Sequence, residues 1–374
     1  VFDVPLDELR DRTSQKWRAY PPDVLPLWVA EMDARVCPPV ADAVADAMRR
    51  GDTGYPAGRP YQEAFAGFAQ RRWGWTVDPA TITLVPDIMQ GTVLAAGLVT
   101  EPGDAVVINP PVYPPFRAYT RRSGRRVLTA DLGADGRLDL AALDRAFAQA
   151  RSGGRRAAYL LCHPHNPTGT LHTPDELRAV GELAARHGVR VVSDEVHAPL
   201  TLDGGFVSAT TVIPDAIALH SASKAFHVAG LKAALAVPGP DATADLARLD
   251  PLVQSEIGHV PVLAHSAALN HGDTWLDETL DSLRENRAHL RAELAARLPL
   301  VRWTPGAATY FAWLDLRELR PGDDDPARHL LEHARVAVNP GLTFGAPGAG
   351  HVRLNFATSP AILTEAVTRI VSAV

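Results

Sequence analysis

Only two cysteines occur in 374 residues, at positions 37 and 162. That is too few for a disulfide framework, and they read as two small buried hydrophobes in a chain suited to a reducing cytoplasm. No apolar run reaches membrane-spanning length, and the opening "VFDVPLDELRDR" lacks the charged-then-apolar plan of a signal peptide. An excess of basic residues is also missing. The net charge is −6, which argues against a nucleic-acid surface and gives no sign of membrane attraction. There is no internal repeat, no low-complexity linker, and no initiating Met; the last leaves room for a trimmed chain or one excised from a larger protein. What remains is an ordinary globular composition, 46% apolar and 21% charged, long enough for two domains.

The middle of the chain alternates short apolar strands with helical patterns, as α/β proteins with a mostly parallel sheet do. Strands are predicted at "TITLV" (81–85), "AVVI" (105–108), "AAYLLC" (157–162), "VRVVS" (189–193) and "AIALHS" (216–221). A helix is predicted over about 90–100, before the turn at Glu101–Asp104. The clearest helix start is "TPDELRAV": Thr173 caps, Pro174 suits the first helical position, and Glu176 completes a capping box. Leu177, Val180, Leu183 and Ala184 give that helix one apolar face, and His187 and Gly188 close it. The last hundred residues differ. A long helix from about 275 to 298, strands at "TYFAWLDL" and "HVRLNFA" and a final helix suggest a smaller α+β domain. The expected division is a large domain over 48–272 and a small one from 1–47 with 273–374.

Polar residues recur just past the predicted strands: Asn109, Asn166, Asp194 and the group Ser221–Lys224. In open parallel sheets that edge is where ligands bind. Lys224 sits in "HSASKAFHVAGLKAAL" among small hydroxyl and apolar residues. Burial, with Lys232 as a second cation, would lower its pKa and make the amine a nucleophile. Hydroxyls at Ser221 and Ser223 suit phosphate oxygens, Asp194 suits a protonated ring nitrogen, and Tyr113 suits a ring face. Pyridoxal 5′-phosphate needs this set. His163, His165 and His197 match no zinc spacing, so no metal is expected.

At this point a family resemblance is plain. The chain resembles the fold-type I pyridoxal-phosphate enzymes of the class I/II aminotransferase superfamily, and more narrowly the cystathionine β-lyase or C–S lyase branch of MalY/PatB type. The matching pieces are "LWVAEMD" (27–33), "GYPAGRPYQEAFAGF" (54–68), "INPPVYPPF" (108–116), "HPHNPTG" (163–169), "SDEVHAPL" (193–200), "SASKAFHVAGLK" (221–232), "AATYFAWLDL" (307–316), "VAVNPGLTFG" (336–345) and "GHVRLNFA" (350–357). They follow the family order over nearly the whole chain.

The resemblance implies a role for each matching residue. Lys224 bonds to the cofactor and then moves the proton, and Asp194 pairs with the ring nitrogen. Asn166 and His197 serve the phenolic oxygen, and Tyr113 stacks on the ring. Ser221, Ser223 and the backbone at Ile88 and Met89 hold the phosphate, and Lys232 stands where many relatives place a phosphate arginine. Tyr55 reaches the partner subunit's phosphate, which implies a homodimer. Arg353 binds the substrate carboxylate as a fork, with Asn339, Trp28 and Tyr310 at the substrate pocket. Two departures stand out: Asp87 replaces a usual glycine at the phosphate loop, and Glu31 replaces a common Asp. Three activities are consistent with this set. They are β-elimination from cystathionine, cysteine or an S-substituted cysteine, with a carrier-bound or biosynthetic cysteinyl adduct as a variant; transamination of an amino acid; and a regulatory role through binding a partner protein.

Overall fold

A computed structural model describes residues 1–374. Twelve strands run in chain order: β1 (Leu25–Pro26), β2 (Thr83–Val85), β3 (Ala105–Ile108), β4 (Arg126–Thr129), β5 (Ala157–Cys162), β6 (Arg190–Asp194), β7 (Ile217–His220), β8 (Ala234–Pro238), β9 (Phe311–Asp315), β10 (Val336–Ala337), β11 (Asn339–Pro340) and β12 (His351–Asn355). Seven form the main sheet in the order β2-β8-β7-β6-β5-β3-β4. The pairs from β4 through β7 are parallel, and β8 runs antiparallel to both its neighbours. This is an α/β architecture with a mostly parallel mixed sheet flanked by helices, as the resemblance implies.

Five of the seven main-sheet strands fall where the apolar runs predict them. Two were not foreseen. β4 is an edge strand with no buried residue, so it lacks an apolar signature. β8 is fully buried, but its "ALAVP" is alanine-rich and short, and its strand character comes from its neighbours.

The helix Pro174–His187 forms as its ends require. Glu176 N–H donates to Thr173 Oγ1 at 3.2 Å, and Thr173 N–H donates to a Glu176 carboxylate oxygen at 2.7 Å. Gly188 closes it at φ 64°. Leu177, Val180, Leu183 and Ala184 are buried, each large aliphatic contributing about 1.5–3 kcal/mol.

A second helix, Ile88–Val99, starts two residues before the predicted point because Asp87 caps it. It packs against the sheet at Gly91. A Cβ there would stand 2.6 Å from Leu219 Cδ1 and 2.8 Å from Val85 Cγ2, so only glycine allows this approach. That contact sets the start of the helix close to the end of β7.

The small sheet β11-β12-β9 is antiparallel, and β1 pairs in parallel with β10. Residues 25–33 are thereby tied to the C-terminal part. The helix Asp273–Arg297 packs on the final helix Pro360–Ala373. Asn286 on the first of these donates from Nδ2 to the Phe356 and Thr358 carbonyls at 3.0 and 2.6 Å. Cys37 and Cys162 are separate buried thiols. No helix is long and apolar enough to cross a membrane.

Candidate active site

The register of the main sheet aligns Cys162 with Asp194 and Asp194 with Leu219, so the segments after β5, β6 and β7 leave the sheet side by side. They open on a cavity of about 230 Å³ that is partly open to solvent. Lys224, Asp194, Asn166, His197, Tyr113, Ser221, Ser223, Ile88, Met89 and Lys232 all line it, together with Asp87, Ala30 and Cys162.

After β5 the chain turns through Asn166–Gly169. Gly169 has φ +70°, and a Cβ there would lie 2.6 Å from the Ala308 carbonyl. Asn166 is fixed on three sides. Its N–H donates to Cys162 Sγ at 3.3 Å, its carbonyl accepts from Tyr113 N–H at 3.1 Å, and its Oδ1 accepts from Arg353 Nη1 at 2.9 Å. Its Nδ2 has no hydrogen bond within the chain and remains available to the cavity.

Asp194 ends β6. One carboxylate oxygen accepts from Val196 N–H at 3.1 Å, and the other has no hydrogen bond within the chain. Burial raises its pKa to about 7, opposed by the Val196 hydrogen bond and by Lys224. Its neighbour Glu195 points away from the cavity. It accepts from Ala209 N–H at 2.8 Å and lies 3.0 Å from His220 Nε2, with both side chains almost wholly buried. His197 is buried, its Nδ1 unpartnered. Desolvation and then the Lys224 charge hold its pKa far below the usual range, so the ring is neutral.

After β7, Ser221 Oγ donates to the Ala233 carbonyl at 2.8 Å and accepts from Ser223 N–H at 3.2 Å. Its proton is directed to the backbone here. The Ser223 hydroxyl has no partner in the chain. Ala222 N–H donates to Tyr61 Oη at 3.2 Å; Tyr61 Oη lies 3.0 Å from His265 Nδ1, and His265 Nε2 lies 2.7 Å from the Leu231 carbonyl. This buried pair clamps the lysine loop from behind, and nothing in the local sequence announces it.

Lys224 Nζ donates to the Ala30 carbonyl at 3.3 Å. Burial, and then the Arg353 charge, lower its pKa to about 8. The second cation is therefore Arg353. Lys232 does not act on Lys224; it is an exposed side chain held by Asp87 at 2.8 Å.

The Ala30 carbonyl belongs to a segment pinned on nearly every side. Tyr310 Oη also donates to Ala30, at 3.2 Å, and Asn355 Nδ2 donates to the carbonyls of Val29 and Glu31, each at 2.7 Å. Lys16 donates to the Glu31 carbonyl at 3.1 Å and forms a buried ion pair with Asp33 at 2.8 Å. Met32 N–H donates to His227 Nδ1 at 3.3 Å.

Arg353 is already engaged by its own chain. Nη1 donates to Asn166, while Nη2 donates to the Trp28 carbonyl at 2.9 Å and to Asn339 Oδ1 at 2.6 Å. The guanidinium lies 4.0 Å over the Phe311 ring, and its buried Nε has no partner. Arg353, Trp28, Asn339 and Tyr310 are not among the residues that line the cavity; Trp28 and Asn339 hold Arg353, and Tyr310 holds Ala30. Tyr55 is 85% exposed and contributes nothing to this protomer's cavity. Asn109 is also structural: it donates to the Ala130 carbonyl at 2.7 Å and accepts from Tyr159 Oη.

A model of the family described as "Aminotransferase class I and II" matches residues 22–370. The chain belongs to that family. It is 50% identical over 388 residues to a Mycobacterium leprae protein provisionally named a cystathionine beta-lyase, covering 98% of this chain and 96% of that one. It is 34% identical over 373 residues to "Cystathionine beta-lyase" of Corynebacterium glutamicum, covering 98% of each. Among solved structures it superposes on a Corynebacterium diphtheriae protein, provisionally described as a PLP-dependent beta-cystathionase. That match has TM-score 0.91 and 34% identity, with 99% of this chain and 98% of that chain covered. The family uses pyridoxal phosphate.

The residues present fit that group. A carboxyl poised near neutrality, a lysine of lowered pKa, an unengaged Asn166 amide and the amides at the start of helix Ile88–Val99 surround one cavity. They match a protonated pyridine nitrogen, an aldehyde, a phenolate oxygen and a phosphate.

Proposed function

We propose that this member of the aminotransferase class I and II family is a pyridoxal-phosphate-dependent carbon–sulfur β-lyase. It acts on cystathionine, cysteine or an S-substituted cysteine and, with water, gives a thiol, ammonia and pyruvate. The observation that carries it is the convergence of Lys224, Asp194 and Asn166 on one cavity, with Lys224 at about 8 and Asp194 at about 7. The names of the relatives support the choice of sulfur chemistry.

Pyridoxal phosphate, when bound, supplies the electron sink that lets an amino acid lose its Cα proton. Lys224 would hold the aldehyde carbon and is the group placed to carry that proton; with a pKa of about 8, a minor but ready fraction of its amine is unprotonated near neutral pH. Asp194 would pair with the ring nitrogen, and a cation beside it would favour the charged form of the carboxyl. Asn166 Nδ2 and His197 would serve the phenolic oxygen, and Tyr113 would lie against a ring face. Ile88, Met89, Ser223 and Lys232 would receive the phosphate. Arg353, whose buried Nε has no partner and whose Nη1 spends one proton on Asn166, would take the substrate carboxylate. Asn339, Trp28 and Tyr310 position that arginine and the Ala30 carbonyl. The exposed Tyr55 reaches the cavity of a second copy, so the working unit is a homodimer of two-domain protomers in the cytoplasm, with the division at about residues 47 and 273.

Cystathionine supplied without any keto acid tests this. Wild type is expected to release pyruvate and thiol, and Lys224→Ala to release neither. Activity that requires a keto-acid acceptor would replace the proposal with transamination, and elimination surviving in Lys224→Ala would remove that lysine from the chemistry.

A further inference from the structure

The phosphate end of the cavity carries its own carboxylate. Asp87 caps the helix Ile88–Val99: its Oδ1 accepts from Gln90 N–H at 2.8 Å, and its Oδ2 accepts from Lys232 Nζ at 2.8 Å. Both side chains line the cavity beside Ile88, Met89 and Ser223. A helix start attracts anions through its unpaired N–H groups and its dipole. Here one of those groups is already engaged by Asp87, and the nearby lysine is engaged by the same residue. The Ser221 hydroxyl is spent on the Ala233 carbonyl. The donors left for a phosphate are two amides, the Ser223 hydroxyl and a lysine that it must share. Side-chain charge at this end sums to zero before any phosphate arrives.

We propose that Asp87 is an internal competitor for the phosphate group, so that this site holds phosphorylated cofactor more loosely than its fold permits. The proposal rests on the cofactor assignment above and adds a specific determinant of affinity and exchange. Asp87 satisfies Lys232 and the helix start when the cofactor is gone. A bound phosphate dianion takes a share of Lys232 and feels the repulsion of the carboxylate beside it. Asp87 is a positioning residue here and takes no part in the reaction.

The test compares binding of pyridoxal phosphate and of unphosphorylated pyridoxal, titrated by absorbance without substrate. The ratio of the two affinities reports the phosphate end alone. Asp87→Asn keeps the cap, since Asn caps as well as Asp, and removes the charge. The ratio is expected to rise about three- to tenfold. Lys232→Gln is expected to lower it by a similar factor. Asp87→Ser, also a good cap, repeats the measurement should the first variant fold poorly. A ratio unchanged or lowered in folded Asp87→Asn and Asp87→Ser overturns the proposal and leaves the cofactor assignment standing. A wild type that binds neither compound sinks both.

Discussion

Replacing Lys224 by Met is expected to stabilise the cofactor-free protein while removing its chemistry. The amine sits against the Ala30 carbonyl with the Arg353 guanidinium nearby, and burial lowers its pKa from 10.5 to about 8. That gap corresponds to about 3 kcal/mol of penalty on the charged form in the folded state. The amine is partly open to the cavity and also attracts Asp194, so about 2 kcal/mol is the expected gain at pH 7. The folded pKa lies below the unfolded one. Below pH 8 both states carry the ammonium and the penalty is fully present; between about 8 and 10.5 the folded state releases the proton first and the penalty lifts. The wild type should therefore gain on the variant as pH rises through that window. Urea unfolding of both proteins without cofactor, at equal protomer concentration and at pH 7 and 9.5, measures this. A variant less stable than wild type at pH 7, or a difference that does not shrink at pH 9.5, would refute the assignment of a strained buried amine.

Three further outcomes are expected. Lys16→Met breaks an ion pair whose side chains are each 1% exposed, so it should cost about 3–5 kcal/mol; replacing Asp33 by Leu as well should recover much of that, and both are read by chemical denaturation. Arg353→Lys keeps the charge but cannot reach Asn166, Trp28 and Asn339 together. Its kcat/KM should fall by about 10²-fold or more, a drop checked by steady-state kinetics on cystathionine. Gly169→Ala puts a Cβ 2.6 Å from the Ala308 carbonyl at φ +70°. It should lower stability by about 1–3 kcal/mol and weaken cofactor binding through Asn166, as unfolding and absorbance titrations would show.

The strand-end rim was legible because each catalytic candidate follows a short apolar run, and a parallel sheet brings such ends together. The capping box at Thr173–Glu176 was legible because it is local in sequence. Partnerships between distant residues were not. Lys232 was expected to act on Lys224, eight positions away, yet it pairs with Asp87 across 145 residues. Asn109 follows a strand end just as Asn166 does, but Tyr159 and the Ala130 carbonyl consume it. The Tyr61–His265 clamp and the pinned segment from Trp28 to Asp33 unite residues from both ends of the chain, where no spacing rule reaches. β8 carries no propensity of its own and becomes a strand only by lying between β2 and β7.

The chain holds three lysines against thirty-four arginines. Lys16 is sealed in its ion pair, Lys224 faces the cavity, and Lys232 is 66% exposed at the cavity rim. Amine-directed reagents therefore meet one lysine on the outer surface, and reach Lys224 only through the cavity. Acylating that amine would remove the one side-chain cation at the phosphate end, so a single chemical modification would report how much the coenzyme's hold depends on it.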